Sequence, residues 1–367
     1  MSRAKKALLI SSLLSNMLHA SYVTYDFSGG RFGDNLLAYI HARWISYAYK
    51  IPLLYKPFEY SDKLQLHLRH TQFNTVEPKS FERVVNFSGL LGKHNKLPIS
   101  DTPNTLYIIP YFPHCEFDIG NRFHFDIDWN DKKFISILHS ELASIEPVAP
   151  LKLPKDRHLV ALHVRTGAGH DKIFQLRGLD TEALIKGEKP IKKDSKDFAF
   201  RSQRGMPVSI KSKFADKTHP LKFASDYYYV NQVKKISELL SDEPMYVHLF
   251  TDSSNPEKIA ELYSKLTDKP NVIFGHREQG NQHNANVLED FYALQQFDYL
   301  IRSESNFSIV AGFLKDYRIT IFPKTFSWIY NYLEIDEVEI QFKNHNTTKK
   351  KNPALFTSPF SARHSSL

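Results

Sequence analysis

The stretch Leu159-Val160-Ala161-Leu162-His163-Val164-Arg165-Thr166-Gly167-Ala168-Gly169-His170-Asp171 sets the fold. A short apolar run stops abruptly at a histidine, an arginine and a loop with two glycines. A run of this kind predicts a strand buried on both faces of a parallel sheet. In open parallel sheets ligands sit beyond the carboxyl ends of the strands, where Arg165 emerges. A guanidinium there, beside backbone NH groups, suits a phosphate. Taken alone, the same residues also fit a surface arginine in an ordinary strand-to-helix turn.

Upstream, Tyr22–Phe27 reads as a strand, followed by Ser28-Gly29-Gly30-Arg31-Phe32-Gly33-Asp34-Asn35. A helix is expected next, with Leu36, Ile40, Trp44 and Ala48 on one stripe and Leu37 and Tyr47 beside it, and then a strand over Ile51–Tyr55. Strand, glycine loop, helix, strand opens a doubly wound unit. The glycines let backbone approach a ligand at a helix N-terminus, where the dipole favours anions; a tight structural turn is the other reading. The loop is not a Walker motif, because no Gly-Lys-Ser/Thr closes it, and its glycine spacing is not that of a dinucleotide fingerprint.

Glu146-Pro147-Val148-Ala149-Pro150-Leu151-Lys152-Leu153-Pro154, with three prolines in nine residues, predicts a linker. It separates an N-terminal domain over 21–150 from a C-terminal domain over 151–330. Beyond lies a C-terminal extension, 331–367, whose tail from Lys343, with Lys349-Lys350-Lys351, is expected to be disordered.

Within the second domain, a long basic stretch runs from Lys172 to about Phe223 and reads either as a lid or as a solvated insertion. A helix over Ser225–Leu240 and a strand over Tyr246–Phe250 follow. Thr251-Asp252 then stands at a strand end, where Asp252 either hydrogen-bonds a nucleobase or ribose or caps the helix near Pro256. A short strand over Val272–Phe274 precedes a helix over Val287–Phe297 with Leu288, Phe291 and Leu294 inward. After a strand over Tyr299–Ile301 comes Arg302-Ser303-Glu304-Ser305-Asn306-Phe307-Ser308 and a helix over Ile309–Leu314. Hydroxyls and NH groups at that helix start make a second anion site, or a plain serine cap. Ile319–Phe322 is expected to close the sheet.

The totals agree with a soluble globular protein: 367 residues, 42% hydrophobic, 24% charged. A formal charge of +8 favours an anionic partner. The basic insertion invites a nucleic-acid reading, but no RRM, KH or zinc pattern supports one. The single cysteine, Cys115, excludes an internal disulfide and a cysteine-built zinc site. Asp126-Ile127-Asp128 imitates a metal-holding Asp-x-Asp pair, yet the alternation around it turns the acids to solvent or to the cap of a helix near Asp131. Residues 1–20 have the outline of a signal peptide, with Arg3, Lys5 and Lys6 before an apolar run and Ala20 at a cleavage position; an amphipathic N-terminal helix is the alternative.

Three strand-end loops therefore carry, in order, an arginine with glycines, a Thr-Asp pair and a serine-rich helix start. This order resembles the GDP-fucose-dependent fucosyltransferase superfamily of α1,2- and α1,6-fucosyltransferases and protein O-fucosyltransferases, over roughly residues 22 to 323. Gly29-Gly30-Arg31-Phe32-Gly33-Asp34-Asn35 is similar to the family's Gly-Arg-Phe/Leu-Gly-Asn-Gln loop, with Asp34-Asn35 in place of Asn-Gln. His163-Val164-Arg165 matches its His-x-Arg, and Thr251-Asp252 its Thr-Asp. Ser305-Asn306-Phe307-Ser308 resembles its closing Ser-x-Phe-Ser. Many members continue after His-x-Arg with a second arginine and Gly-Asp; here Thr166 to Asp171 departs from that.

The resemblance implies an α/β fold of the GT-B kind, two facing Rossmann-like domains with the nucleotide on the second. It implies metal-independent, inverting transfer of fucose from GDP-fucose to a glycan or protein hydroxyl, with no cofactor beyond that donor. The donor-binding residues it implies are Gly30, Arg31, Gly33, Asn35, His163, Arg165, Asp252, Ser305, Asn306, Phe307 and Ser308; Arg165 is the catalytic cation and Asp171 the candidate base. A nucleotide-sugar enzyme is expected in the cytoplasm or on the cytoplasmic face of a membrane, whereas the signal-peptide reading implies export. A catalytically inactive nucleotide- or glycan-binding protein of the same fold is the alternative.

Overall fold

Two units divide the chain, residues 1–148 and 149–367, and a computed structural model describes residues 21–27, 29–75, 78–100, 102–110, 123–166, 220–279, 285–329 and 332–342. Residues 1–20, Ser28, Cys115, Gly167 to Asp171, the basic stretch as far as 219 and the tail from Lys343 lie outside the described residues. Among the described residues, no helix is long and apolar enough to cross a membrane.

In the first unit, strand β1 (Tyr22–Tyr25) pairs in parallel with β5 (Thr105–Ile109), and β5 with β4 (Arg83–Asn86). On the other side of β1, one parallel bridge from Val23 to Leu53 leads into β2 (Leu54–Tyr55), which pairs with β3 (Thr71–Gln72). The strand expected over 51–55 is thus only two residues long. Pro52 has no NH to give a ladder, and only its carbonyl, 3.0 Å from the Val23 NH, joins the pairing.

Helix α1 (Phe32–Tyr49) starts earlier than expected, so Gly33, Asp34 and Asn35 form its first turn. It buries Leu36, Leu37, Ile40, Ala42 and Ile45, while Ala48 is exposed; the buried face drifts off the expected stripe in its second half. Lys50, left-handed at φ 56°, ends it by returning its NH to the Ser46 carbonyl. A short helix α2 (Leu66–Arg69) and helix α3 (Lys132–Glu141) follow.

Asp131 caps α3 through the NH groups of Lys133 at 2.9 Å and Phe134 at 3.0 Å. At the other end of α3, Glu141 accepts from the Tyr39 hydroxyl at 2.7 Å and from Arg43 Nε at 2.9 and 3.0 Å, with His70 at 3.3 Å. Burial pushes its pKa up, but the hydrogen bonds of His70 and Arg43, the Arg43 charge and the Tyr39 hydroxyl outweigh that and hold it at about 2.

The described strands of the second unit form one six-stranded sheet. Its strands are β6 (His158–Val164), β7 (Met245–Thr251), β8 (Val272–His276), β9 (Tyr299–Arg302), β10 (Ile319–Ile329) and β11 (Tyr332–Phe342), in the order β11-β10-β9-β6-β7-β8. Counted within the unit this is 3-2-1-4-5-6 read from β8, the doubly wound order; all neighbours are parallel except β10 and β11. Order reverses between β6 and β9. That switch point is where such sheets open a crevice beyond their carboxyl ends.

Helices α4 (Asp226–Leu239) and α5 (Pro256–Thr267) cover one face, packing Tyr229, Val233, Ile236, Ile259 and Tyr263 against Val160, Leu162, Val164, Val247, Leu249 and Ile301. Each such aromatic or branched side chain, fully buried, contributes on the order of 2–3 kcal/mol to this core. Helices α6 (Val287–Leu294) and α7 (Asn306–Leu314) follow, and Leu288, Phe291 and Leu294 of α6 point inward as expected.

Ile319–Phe322 does not close the sheet. Strand β10 pairs with β9 only over Ile319–Ile321, runs on to Ile329, and pairs along its length with antiparallel β11. Two register shifts near Thr325 interrupt that ribbon. They explain why Ile335, Val338 and Ile340 all reach the core although their spacing breaks strict alternation.

Candidate donor site at the strand switch point

Strand β6 presents alternate residues to its two faces. Val160, Leu162 and Val164 join the apolar core, so His163 is turned the other way, toward α7. There its Nδ1 lies 2.9 Å from Ser308 Oγ and its ring 5.7 Å from that of Phe307. Ser308 gives its single hydroxyl proton to the Ser305 carbonyl at 3.1 Å. Its oxygen is therefore the acceptor toward His163, and Nδ1 carries the hydrogen. Both residues are buried, at 5% and 0% exposure. His163 thus ties the strand end to the helix start.

Arg165, one residue beyond β6, is 8% exposed and forms an ion pair with Asp252, Nε to Oδ2 at 3.4 Å. The other oxygen of Asp252 accepts from the Thr166 NH at 2.6 Å and from the Thr166 hydroxyl at 2.8 Å. Asp252 does not cap helix α5: its N-cap is Asn255, with Pro256 opening the helix.

Arg302, the last residue of β9, stands in register with His163. It is 9% exposed, and its guanidinium lies 4.2 Å from the centre of the Phe322 ring. Its Nη1 donates to the Ser303 carbonyl at 3.3 Å, and its own carbonyl accepts from the Tyr228 hydroxyl at 2.8 Å. Ser303 is wholly buried, and its hydroxyl has no hydrogen-bond partner among the described residues. Arg302 carries no distinctive sequence signal, because an arginine after three apolar residues looks like any strand end. Its neighbourhood with His163 depends on β9 inserting beside β6, across more than a hundred residues.

Helix α7 begins at Asn306, three residues earlier than expected. Ser305 is its N-cap but gives no side-chain cap. Asn306, Phe307 and Ser308 are its first turn, so the positive end of the helix dipole lies at the switch point. His163, Arg165, Asp252 and Ser305 to Ser308, read from three separate stretches of sequence, are thus assembled at adjoining strand ends. Two buried guanidiniums, that of Arg165 paired with Asp252, and a helix N-terminus thus lie at these strand ends.

Gly30, Arg31, Gly33 and Asn35 belong to the first unit. Gly29 is left-handed at φ 85°. A Cβ on Gly30 would fall 2.4 Å from Asp34 Oδ2. That carboxylate accepts from the Arg31 NH at 3.0 Å, so the start of α1 already holds an anion of its own. The amide oxygen of Asn35 is buried without a partner among the described residues. Asp171, the candidate base, lies outside the described residues.

Asp126 pairs with Lys93 at 2.5 Å, and Asp128 accepts from the Asn130 NH at 2.9 Å; the two carboxylates are engaged separately. Among the described residues, no group of three or more His, Cys, Asp and Glu side chains is placed to hold a metal.

No family profile matches the chain, and no curated protein does. Several solved structures are similar to it, fucosyltransferases among them. NodZ from Bradyrhizobium is 11% identical, with 89% of this chain and 99% of that one covered and a TM-score of 0.39. NodZ α-1,6-fucosyltransferase soaked with GDP-fucose aligns at 12% identity over 89% and 99%, with a TM-score of 0.36. A mutant of Arabidopsis thaliana FUT1 in complex with GDP aligns at 12% identity over 83% and 70%, with a TM-score of 0.38.

Proposed function

We propose that the chain is a glycosyltransferase that moves fucose from GDP-fucose to a hydroxyl of a glycan or protein, with inversion and without a metal. In this reading the units are the two halves of a GT-B enzyme, the second holding the donor. The observation that carries it is the meeting of Arg165, the His163–Ser308 pair and the start of α7 at the switch point. Those residues match the family's motifs, and their chemistry suits a diphosphate.

Bond breaking at the anomeric carbon leaves negative charge on the departing GDP. Arg165 and the dipole of α7 stabilise that charge as it develops, and a preorganised donor of this kind lowers the barrier by about 3–4 kcal/mol. His163 holds the helix start in place and takes no proton from the acceptor.

The test is turnover of GDP-fucose by the wild type and by Arg165→Ala. Release of GDP with fucose transferred, lost by two to three orders of magnitude in the variant, supports the reading. Near-normal turnover in the variant overturns it. One observation favours the inactive binding protein as second reading: Thr166, where many members of the family carry a second arginine, is committed to Asp252. GDP binding without turnover against any acceptor would decide for it.

A further inference from the structure

Arg165 and Asp252 each follow directly on Val164 and Thr251, the last register partners of β6 and β7. The Asp252 side chain is 5% exposed. One oxygen is filled by the NH and hydroxyl of Thr166, at 2.6 and 2.8 Å, and the other faces Arg165 Nε. Asp252 spends one oxygen on Thr166 and sets the other against the Arg165 guanidinium, as an ion pair longer than a hydrogen bond.

We infer that Asp252 is a positioning residue for Arg165 and not the group that reads the nucleoside. It latches the end of β7 to the end of β6 and holds the guanidinium toward the diphosphate. The inference rests on the switch point being the donor site. Arginine carries a large rotamer entropy, and a site that orders it before the ligand arrives spends less of the binding energy on doing so. The carboxylate approaches the guanidinium at Nε, beside the stem. Thr166 makes the latch two-sided, because its NH and hydroxyl fix the carboxylate that in turn fixes its neighbour in sequence.

The experiment is equilibrium binding of GDP, GMP, guanosine and ADP to the full chain and to Asp252→Asn, Thr166→Val, Arg165→Ala and the Asp252→Asn/Arg165→Ala double variant. Asp252→Asn should lower GDP affinity tenfold or more and guanosine affinity hardly at all. The preference for GDP over GMP then collapses, while the preference for GDP over ADP stays. Thr166→Val removes one bond and neither charge, so it keeps the inference testable if Asp252→Asn does not fold; it should show the same pattern in smaller degree. The double variant should bind GDP no worse than Arg165→Ala alone.

A loss of the GDP-over-ADP preference in Asp252→Asn, with the GDP-over-GMP preference kept, would overturn the inference and return Asp252 to the nucleoside. An unchanged GDP-over-GMP ratio in both the Asp252 and Thr166 variants would overturn it too, leaving the donor site standing. A wild type indifferent to GDP fails earlier, and takes the donor-site reading down with the inference.

Discussion

Ser308 Oγ lies 2.9 Å from His163 Nδ1, joining the first turn of α7 to the central strand β6 between residues 145 apart in sequence. Because Ser308 spends its proton on the Ser305 carbonyl, the pair has a fixed direction. Ser308→Ala would leave a buried Nδ1–H without an acceptor, at a cost of about 1–3 kcal/mol. Denaturant unfolding of Ser308→Ala, His163→Ala and the double variant should show coupling, since the two mutations delete one interaction. Additive losses would mean that the bond contributes nothing of its own.

Acid should act on the second unit through His248. This residue lies on β7 with its ring 4.8 Å from Phe250 and its Nδ1 2.9 Å from the Tyr246 hydroxyl. Burial, and then the charges of Arg277 and His276, hold its pKa down at about 3, against an ordinary 6.5. The unfolded chain therefore binds the proton that the folded chain refuses, and stability falls as pH drops from about 6.5 toward 3. His248→Leu should flatten that limb in a pH series of melting temperatures. An unchanged slope between pH 6 and 4 counts against it.

The first unit has an acid limb of its own. Glu141 is held at about 2 against an ordinary 4.5, so its contribution is complete above 4.5 and is lost as pH falls toward 2. Glu141→Gln keeps the shape but removes the charge that Arg43 is buried against, at a cost of about 3 kcal/mol. Circular dichroism melts at pH 7 read that loss. Comparison at pH 2.5, where the wild type has begun to lose the same charge, should show a smaller difference.

Gly30 is predicted to be intolerant because of Asp34. Its Cβ position is filled by that carboxylate, so Gly30→Ala should push Asp34 off the Arg31 NH and loosen the start of α1 by about 1 kcal/mol. Asp34→Ala should cost a similar amount, and the double variant less than the sum. Thermal melts of the three variants check this.

Much of this architecture was legible in local pattern. The apolar run at 159–164 was enough to place β6, and Leu288, Phe291 and Leu294 to orient α6, because burial leaves a periodic trace. Asp131 and Ser225 announced helix starts, and Ser225 accepts from the Tyr228 NH as a cap should. The illegible parts depend on partners distant in sequence. The β10–β11 ribbon hides its period behind two register shifts. Arg302 is unremarkable until β9 lies beside His163. Asp252 showed its place at a strand end but not its direction, which only Thr166 and Arg165 reveal.

The central position of β6 also bears on the order in which the chain acquires its binding capacity. Its partners are β7 on one side and β9 on the other, and β9 begins at Tyr299. Until that strand docks, β6 has an open edge, His163 has no Ser308, and the helix start at Asn306 has no strand to face. The site therefore exists only once a contact between distant parts of the chain has closed. Protein released from the ribosome short of α7 would carry Arg165 and Asp252 but lack half of the crevice.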